Sequence, residues 1–224
     1  MLKKGIALKN LKSQVAEQYR TLRTNIQFSS LGNELKIIVV TSSLPSEGKS
    51  TIICNLAITM AQSNKRVVIV DCDLRKPSIH KKFLISNFEG LTNILAQGKK
   101  IEDIIITTKV PNLYVITSGP IPPNPSELLG APKMKNILEE LTNTFDIILI
   151  DTPPILSVTD AQILSALAQG TILITAYGKL EKKLLLDAKE NIEKVGGKIL
   201  GVVINKIPEK AKGQYNEYYG SSSI

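Results

Sequence analysis

The sequence predicts an α/β protein: a doubly wound, mostly parallel sheet flanked by helices. Three observations predict it. Short runs rich in Ile and Val alternate with helix-like segments along most of the chain. Those runs are apolar almost without interruption, as strands buried on both faces of a parallel sheet must be. The first of them also leads directly into a Gly-Lys-Ser turn that opens an apolar helix. At 224 residues the chain suits one large domain. Such a domain buries roughly 70% of its unfolded-chain surface and needs no disulfide or structural metal.

The elements follow in order. A helix is predicted over 13–29, where Val15, Tyr19, Leu22 and Ile26 recur at helical spacing while Glu17, Arg20 and Arg23 form a separate polar stripe. Strands are predicted at 36–41, 66–71, 112–118, 145–151, 171–176 and 198–205. Helices are predicted between them at 51–63, 126–143, 159–169 and 181–195. The second of these opens on Asn124 as N-cap, Pro125 in the first helical position and Glu127 three residues after the cap. Strand–helix–strand repetition implies right-handed crossovers, and ligands of such sheets bind beyond the carboxyl ends of the strands. The division read from the sequence is 1–35 for the N-terminal helix region, 36–207 for the sheet domain, and 208–224 for a polar, flexible tail.

Composition excludes several classes of function. Apolar runs such as 37–40 and 147–150 are far shorter than a membrane span of about 20 residues. The opening MLKKGIALKNLKSQ lacks the continuous apolar stretch of a secretory signal, so a cytoplasmic location is expected. Cys54 and Cys72 lie in apolar segments without metal-ligand spacing and read as reduced packing residues. His80 is the single histidine and builds no metal site. The net charge of +8 raises nucleic-acid binding, but lysines are dispersed, only 4% of residues are aromatic, and no DNA- or RNA-binding motif is present. No nucleic-acid partner is expected. Attraction to an anionic membrane surface remains a reading of the same charge.

The chemistry lies at strand ends. TSSLPSEGKST at 41–51 fits a phosphate-binding (Walker A) loop with Ser43 in place of its first glycine. Pro45, Ser46, Glu47, Gly48, Lys49, Ser50 and Thr51 would cradle a nucleotide: backbone N–H groups on the phosphates, Lys49 between the β- and γ-phosphates, the Ser50 hydroxyl on Mg²⁺. RVVIVDCDLRKP puts Asp71 and Asp73 at the exit of one strand, and FDIILIDTPP ends another on Asp151, which fits a Walker B aspartate. One such aspartate would be a turn former. Three of them beside a phosphate loop describe a nucleotide and metal site, and place the sheet among P-loop NTPase-type folds.

SSLPSEGKST, VDCDLRKP and LIDTPP together resemble the Walker A, A′ and B set of the bacterial tyrosine kinases that accompany capsule and exopolysaccharide synthesis. EQYRTLRTNIQF at 17–28 is similar to that family's E-x-x-R-x-x-R oligomerisation segment. SGPIPPNPSELL at 118–129, SVTDAQ at 157–162 and a tail holding Tyr215, Tyr218 and Tyr219 extend the likeness over about residues 13–220.

The resemblance implies an ATP- and Mg²⁺-dependent protein-tyrosine kinase. Lys49, Asp71 and Asp73 would be catalytic, with Asp71 first and Asp73 second as candidate base. Ser50, Asp73 and Asp151 would hold the metal. Glu17, Arg20 and Arg23 would join subunits into a homo-oligomeric ring, in which each tail is phosphorylated by a neighbour at Tyr215, Tyr218 and Tyr219. It also implies other protein tyrosine substrates, recruitment to the inner face of the membrane by a membrane-spanning activator of polysaccharide synthesis, and control of polysaccharide output. Two alternatives stay open. One is a switch ATPase of the cell-division or plasmid-partition type, which carries an extra lysine at the position of Leu44. The other is a nucleotide-held binding module.

Overall fold

The computed structural model describes residues 13–29, 35–178 and 181–208. Seven strands form one sheet in the order β3-β4-β2-β5-β1-β6-β7. They are β1 (Ile37–Ser42), β2 (Val67–Asp71), β3 (Ile106–Thr107), β4 (Leu113–Ile116), β5 (Ile147–Asp151), β6 (Gly170–Ala176) and β7 (Ile199–Asn205). Every pairing is parallel except that of the two-residue edge strand β3 with β4. The helices are α1 (Gln14–Phe28), α2 (Lys49–Ala61), α3 (Ile79–Phe83), α4 (Leu91–Gln97), α5 (Ile101–Ile104), α6 (Pro125–Gly130), α7 (Pro132–Thr144), α8 (Asp160–Leu167) and α9 (Lys182–Glu193).

The near-continuous apolar strands are buried on both faces, because alternate residues point to opposite sides. Ile38, Val40, Ile69 and Leu149 meet α2 on one side. Ile37, Val39, Val68, Val70, Ile148 and Ile150 meet α4, α6 and α7 on the other. Register then places the chemistry. Asp151 lies opposite Val40 of β1 and Asp71 of β2, so the three strands carrying the phosphate loop and the carboxylates are neighbours with aligned carboxyl ends.

Several expectations need correction. The single helix expected over 126–143 is two helices, α6 and α7, broken at Ala131, which is extended at φ −67°, ψ 146°. Pro132 is the cause, since its ring drives the preceding residue out of the helical region. Asn124 occupies the N-cap position but makes no side-chain cap; its amide donates to Glu127 at 2.9 Å instead. Residues 72–111, where no element was expected, hold α3, α4, α5 and β3. Val15 is exposed at 47%, and its neighbour Ala16 is the buried residue of the first turn.

The polar stripe of α1 also divides. Glu17 and Arg20 pair with each other at the surface. Arg23 instead turns back onto α2, donating from Nη1 to the Thr59 carbonyl at 3.0 Å. At about 100° per residue, a spacing of three drifts by about 60° each step, so Arg23 lies about 120° around the helix from Glu17. It sits beside Tyr19, whose hydroxyl meets Asn55 of α2. Arg23 thus ties α1 to the domain and does not project with the others. Among the described residues, no helix is long and apolar enough to cross a membrane.

Candidate active site

The phosphate loop is a strand-to-helix connection whose shape depends on two left-handed residues, Ser46 (φ 64°) and Gly48 (φ 99°). Gly48 has no substitute. Its conformation disfavours any side chain, and a Cβ there would lie 2.2 Å from Asn205 Nδ2. Ser43, standing where the motif has its first glycine, does not have a positive φ; no glycine is required there.

The loop is braced from below. The Glu47 side chain is buried: Oε2 accepts from the Leu44 N–H at 2.8 Å, and Oε1 from the Ala176 N–H at 3.1 Å and the Thr175 hydroxyl at 3.2 Å. The end of β7 holds the other side, with Asn205 Nδ2 donating to the Glu47 carbonyl at 2.8 Å and Lys206 Nζ to the Ser46 carbonyl at 2.6 Å. Glu47 therefore offers a ligand its backbone and keeps its carboxylate for the loop.

At the start of α2, Lys49 Nζ sits 3.0 Å from Asp73 Oδ2 and 3.6 Å from Asp151 Oδ1. Ser50 donates its hydroxyl to Asp151 Oδ2 at 2.7 Å. Asp71 is separate. Fully buried, it accepts from the Asp73 N–H at 3.3 Å, the Ser78 N–H at 3.1 Å and the Ile79 N–H at 3.0 Å. The two aspartates of the D-x-D pair thus face different partners: Asp73 turns to Lys49, Asp71 to the backbone entering α3. Asp73 also accepts from the Lys76 N–H at 3.0 Å.

Electrostatics follow from three buried carboxylates sharing one ammonium. Burial, then the Asp151 charge, pushes Asp71 up to about 8. Burial also raises Asp151, against the opposing pull of Lys49 and the Ser50 hydrogen bond. Burial would lower Lys49, but Asp151 and Asp73 outweigh it and hold the ammonium more firmly charged. Loss of negative charge by protonation is one remedy for such a cluster; a divalent cation is the other.

The donor set fits such a cation. Asp151 Oδ1 is buried without a hydrogen-bond partner, 3.6 Å from Lys49 Nζ, while its Oδ2 accepts from the Ser50 hydroxyl. No group of three or more His, Cys, Asp or Glu that could hold a metal occurs among the described residues. Mg²⁺ takes few protein ligands and completes its shell with water and phosphate oxygens, so the Ser50 hydroxyl and the carboxylates of Asp151 and Asp73 would be enough to hold it.

Pro45, Ser46, Gly48, Lys49, Ser50 and Thr51 line one continuous turn and helix start, and Asp71, Asp73 and Asp151 converge on it. Glu17, Arg20 and Arg23 lie elsewhere, on α1. Tyr215, Tyr218 and Tyr219 lie outside the described residues. Sequence reasoning missed the carboxylate role of Glu47, the contacts of Asn205 and Lys206, and Lys82, whose Nζ donates to the Thr51 hydroxyl at 2.9 Å. An Asn-Lys pair at the end of an apolar strand, on the ligand-binding edge, was the one visible signal among them. Cys54 and Cys72 are buried free thiols raised by burial.

Comparison with known proteins agrees with this geometry. A family described as an AAA domain matches residues 35–182. Tyrosine-protein kinase YwqD of Bacillus subtilis is 42% identical over 221 residues, covering 99% of this chain and 93% of that protein. The putative tyrosine-protein kinase CapB of Staphylococcus aureus is 42% identical over 209 residues, covering 93% and 92%. Among solved structures, the kinase domain of Escherichia coli tyrosine kinase ETK superposes with a TM-score of 0.89 at 32% identity, covering 92% of this chain and 81% of that one.

Proposed function

Because the chain belongs to the bacterial tyrosine-protein kinases, we propose that it transfers the γ-phosphoryl group of ATP to tyrosine hydroxyls, those of its own tail first. The observation that carries this reading is the position of Lys49. Its ammonium stands at the N-terminus of α2, 3.0 Å from Asp73 and 3.6 Å from Asp151, where phosphate would enter. Phosphoryl transfer asks a protein for positioning and charge neutralisation more than for covalent chemistry.

The residues divide the work as follows. The backbone of 45–51 cradles the phosphates, and Lys49 stabilises charge on the transferring group. Ser50, Asp73 and Asp151 would hold Mg²⁺, which when bound neutralises phosphate charge. Asp71 takes the tyrosine proton. A phenol of pKa near 10 needs a base matched to working pH, and burial with the Asp151 charge has raised Asp71 toward it. Asp71→Asn is therefore expected to lower turnover by about 10²-fold while changing ATP affinity far less. Equal loss in rate and affinity would assign Asp71 to binding instead.

Tyr215, Tyr218 and Tyr219 are the acceptors in this reading, delivered in trans within a ring joined through α1. A neighbour's tail gains effective concentration from assembly without any new contact, and each phosphate adds roughly −1.5 to −2 charges that expel it from an acidic cleft. Glu17 and Arg20 are the surface pair available for the joint; Arg23 serves α1 itself. Reversing Arg20 to Glu should leave a folded monomer by light scattering in place of the assembled species. Assembly undiminished in that variant would move the joint off α1. The chain acts in the cytoplasm at the inner membrane face, brought there by a membrane-spanning activator, and sets polysaccharide output.

The switch-ATPase alternative has no comparable support. Leu44 is neutral where that reading needs a lysine, and its N–H is committed to Glu47. Intact mass of the full chain before and after ATP with Mg²⁺, with and without phosphatase, tests the proposal. Phosphatase-sensitive added mass on tyrosine is expected. ADP release with no added mass would favour the alternative.

A further inference from the structure

The two motifs left without a task, NPSELL and SVTDAQ, meet at one buried carboxylate. Asp160, the first residue of α8, is 0% exposed in its side chain. Its Oδ2 accepts from Arg75 Nε at 3.0 Å, and its Oδ1 from Arg75 Nη2 at 3.0 Å and from the Ser126 hydroxyl at 2.8 Å. Arg75 Nη2 donates to that same Ser126 oxygen at 2.8 Å. The triangle is closed, and it joins three segments that leave the sheet at the site edge: Arg75 after β2, Ser126 on α6 after β4, Asp160 after β5.

Its place in the chain matters more than its strength. Arg75 stands two residues after Asp73, which faces Lys49; Asp160 ends the segment that begins at Asp151, which faces Lys49 too. The carboxylates are pinned by register at one end, where Asp71 pairs with Asp151. At the other end the segments leave the sheet, and the bidentate Arg75–Asp160 pair is the charged link between them. A planar guanidinium on a carboxylate fixes orientation as well as distance.

We propose that Asp160, with Ser126, is a positioning residue. It holds Arg75 so that Asp73 and Asp151 keep the separation needed to grip the metal–phosphate group. The inference rests on the kinase reading of the same site. Asp160 touches no reacting atom; it acts through Arg75 and the loop of 73–76. Arg75 is 37% exposed in its side chain, so in Asp160→Asn the freed guanidinium returns to water and that variant has no new buried charge to bear.

The test uses the full chain. Asp160→Asn and Arg75→Lys each break the bidentate pair, Ser126→Ala removes the bridging hydroxyl, and Ser126→Thr keeps it. At saturating ATP, phosphotyrosine formation should fall about tenfold or more in the first two variants, as expected for a small misplacement of charged groups. Binding of a fluorescent ADP analogue without Mg²⁺ should stay within about twofold of wild type. The Mg²⁺ concentration that half-saturates the metal-dependent gain in ADP affinity should rise severalfold. The double variant should be no slower than the slower single one, and Ser126→Thr should retain the rate that Ser126→Ala loses.

Rate and ADP affinity falling together with the thermal midpoint, at an unchanged Mg²⁺ requirement, would show a merely structural link and overturn the proposal. So would variants as fast as wild type. If Asp160→Asn does not fold, the Ser126 variants carry the same comparison. Failure of the kinase reading looks different: wild-type protein then forms no phosphotyrosine, and the Mg²⁺ dependence of ADP binding decides the positioning role alone.

Discussion

Replacing Lys49 by Met is expected to lower phosphotyrosine formation by about 10³-fold or more while leaving the protein folded. Met keeps most of the apolar stem and loses the ammonium, the one cation within salt-bridge distance of Asp73 and Asp151 among the described residues. Two carboxylates then face each other uncompensated. A buried pair stripped of its partner is ordinarily costly. Here the cost has an outlet, because Asp151, already raised by burial, can take up a proton. The fold should therefore survive at neutral pH with an unchanged circular dichroism spectrum, while the transferring phosphoryl group loses its point charge. A purified Lys49→Met protein that labels its own tyrosines at the wild-type rate would remove Lys49 from the chemistry.

Glu47→Ala is expected to damage stability and nucleotide binding together. The carboxylate accepts three hydrogen bonds from Leu44, Thr175 and Ala176, and its residue is only 2% exposed. Alanine leaves the Ala176 N–H buried without an acceptor and frees the Leu44 N–H at the loop's start. The expected loss is on the order of 2–4 kcal/mol, a fall in thermal midpoint of about 10 °C for a chain of this size. A loop no longer tied to β6 cannot present its N–H groups in one geometry, so affinity for ADP should drop about tenfold or more. Gln should rescue poorly, since its NH₂ group brings donors toward donors. An alanine variant with wild-type melting and ADP affinity would show that β7, through Asn205 and Lys206, holds the loop alone.

Much of the architecture was legible because its signals are local and strong. The Ile- and Val-rich runs became the central strands, and the strand-end positions of Asp71 and Asp151 placed them in register beside the phosphate loop. The failures have physical causes. Helices of five, seven and four residues between 79 and 104 are too short to show a helical period. The break at Ala131 has a local signal in Pro132, which the helix expected over 126–143 ran across. The site was legible as a set of residues and not as a set of jobs. Spacing shows Asp71 and Asp73 leaving one strand; it does not show one turning to backbone N–H groups and the other to Lys49. Nor does a glutamate in a phosphate loop announce that its side chain faces inward. Asp160 and Arg75 are 85 residues apart in sequence, and their bond exists only once the sheet brings their segments together.

The central claim is transfer to a neighbour's tail, and mixing two inactive partners tests it most directly. A chain with Tyr215, Tyr218 and Tyr219 all changed to Phe has the proposed active site and none of the proposed acceptors; a Lys49→Met chain has the acceptors and no competent site. Phe keeps the aromatic ring and removes only the attacking oxygen, so docking is preserved while chemistry is not. With ATP and Mg²⁺, each alone should take up little phosphate, and the mixture should place phosphotyrosine on the Lys49→Met chain within residues 215–219. Labelling of the Phe chain at its own wild-type rate, or no passage of label between chains, would contradict it.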